Sequence, residues 1–142
     1  MIAAHRYHDI SCGHRVYGHE SKCACLHGHN YRITFHVEGE LVDRDSIGRV
    51  MDFSVIKSHL CNWLEENWDH KFLIWEDDPW VNQLRMLDPD GVLVVPFNPT
   101  AENMAEHLAL IVGPEQLKGT GCVVVAVMVE ETRKCSASWR RS

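Results

Sequence analysis

The chain has 142 residues, a formal net charge of −6 and 45% hydrophobic content, the size of one domain with enough apolar material for a core. Its 9 glycines and 5 prolines exclude a collagen-like or disordered chain, and an acidic balance without a lysine or arginine run argues against nucleic acid as a partner. The longest apolar run, Val123 to Val129, is far short of the ~20 residues that span a bilayer, and the first six residues carry no hydrophobic leader, so a cytoplasmic protein with no membrane partner is expected.

In chain order, Ile10 to Tyr17 and Tyr31 to Val37 read as strands, the second alternating with period two. Between them Gly18 to Gly28 has little apolar periodicity and predicts a loop. Phe53, Ile56, Leu60, Trp63 and Leu64 mark one face of a helix that ends near Trp68, with Asp52 or Ser54 as N-cap. Trp80, Val81, Leu84 and Leu87 suggest a short helix, and Val92 to Pro96 a strand. Asn98-Pro99 predicts a helix with proline at its first position, closed by Gly113-Pro114. Cys122 to Val129 reads as a buried strand. The order β, β, α, short α, β, α, β gives an α+β class with a largely antiparallel sheet, in a single domain covering 1–142.

Six cysteines, at positions 12, 23, 25, 61, 122 and 135, lie in unlike surroundings without an export signal and read as free thiols or ligands. His27-Gly28-His29 places two imidazoles two residues apart at the start of a strand. Extended geometry aims both the same way, with backbones roughly 6.6 Å apart, so both rings can converge on one ion. His14, on the neighbouring strand, supplies a third nitrogen and leaves a fourth position open, as catalytic zinc requires. A competing reading is a closed structural zinc site of Cys23, Cys25, His27 and His29, although four alternating ligands on one strand are geometrically awkward. Asp69-His70, at the end of the first predicted helix, is either an acid/base pair or a helix-end histidine held by the dipole. Glu131 ends a very apolar strand, either as a pocket-floor carboxylate that accepts paired N–H donors or as a solvated strand end. Arg15, Lys22, Arg133 and Lys134 are candidate cations for a phosphorylated small molecule, or ordinary surface charge.

Gly13-His14-Arg15, Lys22-Cys23-Ala24-Cys25-Leu26-His27-Gly28-His29-Asn30, Met51-Asp52-Phe53, Asp69-His70-Lys71, Pro99-Thr100-Ala101-Glu102-Asn103 and Glu131-Thr132 occur in one order. Together they resemble the 6-pyruvoyl- and 6-carboxy-tetrahydropterin synthase family. The resemblance runs from about Ile10 to Thr132 and is weak over Phe72 to Phe97, which reads as a variable insertion. His5, in Ala3-Ala4-His5-Arg6, also mimics the family's first-ligand motif. His14 is preferred because His5 would leave four residues for the first strand and stretch the loop to Cys23.

The resemblance implies the T-fold, with a four-stranded antiparallel sheet and two main helices on one face. It implies His14, His27 and His29 as zinc ligands, Cys23 as catalytic thiol, Asp69 and His70 as its partner dyad, and Glu131, Thr100 and Glu102 as pterin-binding residues. The short spacing from Cys23 to His27 is typical of the 6-carboxy branch. That branch converts 7,8-dihydroneopterin triphosphate to 6-carboxy-5,6,7,8-tetrahydropterin in queuosine biosynthesis. The alternatives are 6-pyruvoyl-tetrahydropterin formation and, from another class, a non-catalytic zinc-stabilised interaction module. A homohexamer of two stacked trimers, with active sites between subunits, is also implied.

Overall fold

The computed structural model describes residues 2–39 and 48–142. One six-stranded sheet has the order β4-β3-β1-β2-β5-β6. Strands β1 (Ala3–His14) and β2 (His27–Gly39) pair antiparallel from Ala3↔Glu38 to His14↔His27. Strand β5 (Cys122–Glu130) lies antiparallel on the far side of β2, and β6 (Ser136–Arg140) is antiparallel to β5. These four make an antiparallel sheet of the kind the resemblance implied, but with β6 in the place of the expected Val92 to Pro96 strand. Strands β3 (Phe72–Trp75) and β4 (Val92–Val95) are added parallel on the free edge of β1.

The first helical segment, α1 (Phe53–Ile56), is capped by the Asp52 carboxylate, which accepts from the Ser54 N–H. It continues through a π-helical stretch, Lys57–Cys61, into α2 (Asn62–Asn67). Helix α3 (Val81–Leu87) is the crossover that a parallel β3–β4 pair requires. Helix α4 (Ala101–His107) passes through a second π-helical stretch, Leu108–Val112, into α5 (Gly113–Gln116).

Alternation along β1 and β2 sends Ile10, Cys12, Tyr31, Ile33 and Phe35 to one face, where they pack against Ile56, Leu60, Leu64, Met104 and Leu108 of the helices. The opposite face carries Tyr7, Asp9 and Arg32, with Arg32 Nε donating to Asp9 at 2.9 Å and its guanidinium 3.9 Å from the centre of the Tyr7 ring.

Several expectations need correction. The first strand begins at Ala3 and stops at His14 rather than running from Ile10 to Tyr17. Thr100, not Asn98, caps α4, so Pro99 lies outside the helix. Gly113-Pro114 does not stop the helix, because the π-helical turn just before it alters the hydrogen-bond register at which a proline would clash. Glycine is needed there for another reason: a Cβ at Gly113 would stand 2.8 Å from Val124 Cγ2 of β5. The stretch read as a variable insertion forms β3, α3 and β4: the short helix and the Val92 to Pro96 strand expected there are present, and only β3, four residues long and too short to reveal a period, was not read. The last strand, β6, was missed because Ser136-Ala137-Ser138-Trp139-Arg140 is polar and mostly exposed.

Candidate metal centre and its surroundings

The register His14↔His27 and Cys12↔His29 puts three histidines on the helix-covered face at one end of the β1–β2 pair. Their ligating atoms lie within 4.8 Å of one another. Gly28 permits this approach: a Cβ there would meet the Cys12 carbonyl oxygen at 3.0 Å and Gly13 Cα at 3.3 Å. His5 lies at the other end of β1, against His36 at a ring separation of 4.9 Å, and takes no part.

Two ring tautomers follow from their partners. A carbonyl only accepts, so His14 Nδ1–H donates to the Pro99 carbonyl at 2.7 Å and His27 Nδ1–H to the Cys25 carbonyl at 2.8 Å. The Nε2 atoms of both rings then carry bare lone pairs, and these stand 3.0 Å apart. Two lone pairs at that distance repel each other unless a cation or a proton lies between them, and the Tyr31 hydroxyl, 3.3 Å from His14 Nε2, is a donor beside the pair. The third nitrogen, His29 Nε2, is buried without a hydrogen-bond partner. Burial pushes the His14 and His29 pKa values down, which keeps both rings neutral and ready to ligate. Three imidazole nitrogens suit zinc among the borderline transition metals that imidazole binds.

Tyr31 lies beneath the cluster. Its hydroxyl is 3.2 Å from His14 Nδ1, and burial raises its pKa far above normal, with a hydrogen bond to Glu131 acting in the same direction. Glu131 follows directly on β5, with its N–H on the Cys135 carbonyl. Its Oε1 is 3.4 Å from His14 Nε2 and 3.6 Å from His29 Nε2.

Cys23 sits in a short 3-10 turn, Lys22–Ala24, whose Cys23 carbonyl accepts from the Val16 N–H. The thiol is half-buried and close enough to bear on the acidity of Tyr31, whereas Cys25 is exposed. This turn breaks the extended run that a closed Cys2His2 site needs, and among the described residues the metal-ligating group contains only the three histidines. Cys12 is a buried thiol whose pKa is pushed up to about 12 by burial, which makes it inert.

The dyad lies on the other side of β1. Asp69 accepts from the Ser11 N–H at 2.9 Å and from His70 Nδ1–H at 2.8 Å; burial opposes the charge, yet these donors leave the carboxyl below its usual range. His70 adopts φ 60, its N–H is bound to the Ser11 carbonyl at 2.7 Å, and its side chain is 80% exposed. A cleft of about 510 Å³ has both His29 and His70 in its wall, together with Ser11, Gly28, Asn30 and Lys71. A second cleft of about 660 Å³ joins Asp69 and His70 to Arg133. Among the described residues, no hydrogen bond or ion pair links the dyad to Cys23, Glu131 or the three histidines.

Thr100 Oγ1 caps α4 by accepting from the Asn103 N–H at 3.1 Å, and Glu102 is exposed in the first turn, where the helix dipole favours it. Thr100 directly follows Pro99, whose carbonyl orients His14. Arg15 does not serve as a free phosphate-binding cation. It is 6% exposed, donates to the buried Asp78 at 2.8 Å, and its guanidinium carbon lies 3.3 Å from the centre of the Trp80 ring. Asp78 was not foreseen, since nothing local in Glu76-Asp77-Asp78 distinguishes a buried carboxylate from its neighbours.

A mixed sheet backed by helices, with three convergent histidines that could hold a metal ion and an acidic strand end, defines the class as an α+β protein with a candidate metal centre. The model of the family described as 6-pyruvoyl tetrahydropterin synthase matches residues 3–142. The 6-carboxy-5,6,7,8-tetrahydropterin synthase of Rickettsia felis is 33% identical over 136 residues, covering 95% of this chain and 97% of its own. An uncharacterized protein from Wolinella succinogenes has the same fold, with a TM-score of 0.84 at 22% identity over 99% of this chain and 98% of its own. The Caenorhabditis elegans 6-pyruvoyl tetrahydropterin synthase superposes with a TM-score of 0.70 at 21% identity over 99% and 96%. The chain belongs to the 6-pyruvoyl tetrahydropterin synthase family and has its T-fold.

Proposed function

We propose that this chain is a zinc-dependent lyase that converts 7,8-dihydroneopterin triphosphate and one water to 6-carboxy-5,6,7,8-tetrahydropterin, releasing acetaldehyde and triphosphate, in queuosine biosynthesis. The observation that carries the metal is the pair of bare Nε2 lone pairs 3.0 Å apart on His14 and His27, beside the unpartnered Nε2 of His29. The choice of reaction is supported by the Rickettsia relative, whose printed name is that of the 6-carboxy enzyme and which matches this chain almost end to end.

Zinc held by His14, His27 and His29 supplies Lewis acidity toward the hydroxyl groups of the substrate side chain. Cys23, presented from its turn beside Tyr31 and the metal corner, moves a proton at the side-chain carbon. His70 is the second acid/base; Asp69 accepts its Nδ1–H and so leaves Nε2 to exchange the proton. Glu131 accepts the N–H donors of the pterin ring edge, while Thr100 and Glu102 border the ring site. Arg133, in the wall of the cleft with Asp69 and His70, is the cation best placed for the triphosphate.

Among the described residues no hydrogen bond or ion pair joins the exposed dyad to the buried histidine corner, although His29 and His70 share the wall of one cleft. This supports a cytoplasmic homohexamer, two stacked trimers with active sites between subunits, consistent with edge strands β4 and β6 that have one neighbour each. No helix among the described residues is long and apolar enough to cross a membrane. Incubating the zinc-loaded protein with dihydroneopterin triphosphate tests the reaction: acetaldehyde in step with pterin product supports it. A side chain retained in full in the product would instead identify the 6-pyruvoyl reaction.

A further inference from the structure

We infer that the open face of the sheet carries a second, separate binding site, in which His5, His36 and Arg140 take an oxyanion of the phosphate class. The site goes beyond the proposed reaction. It stands at the far end of β1 from the metal corner, roughly 30 Å from His14 at a strand rise of ~3.3 Å per residue.

Strand alternation and register build it. His5 and His36 are directly opposed in the β1–β2 ladder, on the face that carries Tyr7, Asp9 and Arg32, and their ring centres are 4.9 Å apart. The next two strands continue the row: His36 is opposite Ala126 of β5, and Ala126 is opposite Arg140 of β6. The single methyl of Ala126 leaves open space between the histidine and the arginine. That space is a cleft of about 500 Å³ with His36, Ala126, Ser138, Arg140 and Arg141 in its wall. The β2–β5 ladder breaks at the same place. Val125 is an extra residue between the pairs His36↔Ala126 and Val37↔Val124, and its carbonyl accepts the Arg141 N–H at 2.8 Å, which holds the end of β6 beside the cleft.

The groups that face His36 across this row are His5 from β1, Ala126 from β5, and Arg140 with Arg141 from β6, so the charges are of one sign in a chain whose net charge is −6. Burial first, then His5 and Arg140, hold the His36 pKa below its usual value. The carboxylate in the cleft wall is Glu38, two positions farther along β2. Among the described residues no ion pair joins it, or any other acid, to His5, His36, Arg140 or Arg141. Arg32, on the same face, shows the contrast: Asp9 accepts from it at 2.9 Å, and its charge is answered within the chain.

An oxyanion supplies the opposite charge. The Arg140 guanidinium offers a fork of N–H donors, the imidazoles offer ring N–H groups, and a phosphate oxygen between them favours the proton on His36 that its like-charged neighbours otherwise oppose. Binding is thereby tied to proton uptake: the anion raises the affinity of His36 for its proton, so the complex tightens as pH falls.

The test titrates inorganic triphosphate and, separately, adenosine triphosphate into the zinc-loaded full-length protein by calorimetry, near pH 6 and near pH 8; the tighter of the two tells a free oxyanion from a nucleotide. Removing the guanidinium in R140Q, or filling the cleft in A126L, should each weaken binding at least about tenfold. H36Q should lose most of the extra tightening that the parent shows at the lower pH. Arg140 is exposed and Ala126 and His36 are half-buried on an open face, so these variants should fold, and thermal unfolding checks that they do. R133Q, altered in the cleft beside Asp69 and His70, is the control for anion held at the proposed catalytic site. Parent-like affinity in both R140Q and A126L overturns the site, as does a pH dependence unchanged in H36Q. Binding lost in R133Q alone places the anion in the other cleft and overturns it equally. Acetaldehyde release decides the proposed function separately and does not enter this comparison.

Discussion

The two chemically dense corners of this protein stand on opposite sides of β1 and are built in opposite ways. The metal corner is buried and tied down before any ligand arrives: Pro99 and Cys25 fix two tautomers, Gly28 removes a Cβ that would collide, and Tyr31 supports Glu131. The dyad corner is open. Asp69 is held by Ser11, yet His70 projects into solvent from a left-handed backbone conformation that non-glycine residues adopt only when the surroundings hold them there. A site that must bind a metal tightly gains from preorganisation, while a proton-transfer group that must meet a substrate or a second subunit has to remain reachable.

The largest effect that could break this contrast lies between the two corners. Cys23→Ala should lower turnover by about 10³-fold or more while zinc content stays at the parent level. Activity close to the parent's would remove the thiol from the mechanism, and Cys25→Ala is the control that should do far less. A stability effect comes next. Arg15→Met leaves Asp78 buried and unpaired, which should cost about 3–5 kcal/mol in denaturant unfolding, partly recovered by adding Asp78→Asn.

Separation of the corners is sharpened by a matched pair of variants. His29→Ala should weaken zinc binding by roughly a hundredfold or more, since three ligands share a binding energy of ~10 kcal/mol or more. His70→Ala should leave zinc affinity untouched and lower kcat by about a hundredfold. Zinc lost from the second variant would mean that the corners are not independent.

The smallest effect is in pH. Burial depresses the pKa values of His14, His36 and His107, so the folded protein takes up fewer protons than the unfolded chain just below pH ~6.5. Stability of the metal-free protein should therefore fall as pH drops below that point, and denaturant titrations between pH 7.5 and 5.5 would show it. A flat profile would mean that these rings are protonated in the fold.

The sequence alone pointed to the family and to the cluster of His14, His27 and His29, and the short ordered blocks that carry the resemblance nominated Cys23, Asp69, His70 and Glu131 for the roles proposed above. It also located the helix capped by Asp52, since an amphipathic stripe and its cap are local patterns. What tertiary structure decided was every pairing that depends on distant chain. β3 and β6 are too short or too polar to announce themselves and exist because neighbouring strands offer hydrogen bonds. The helix runs through Gly113-Pro114 because a π-helical turn and β5 accommodate it. Arg15 is neutralised by an aspartate 63 positions away. The Pro99 carbonyl that holds His14 and the Glu131 carboxylate beside His14 and His29 are brought close only by the packing of helix on sheet and of β5 on β2, and no spacing rule along a single chain encodes that juxtaposition.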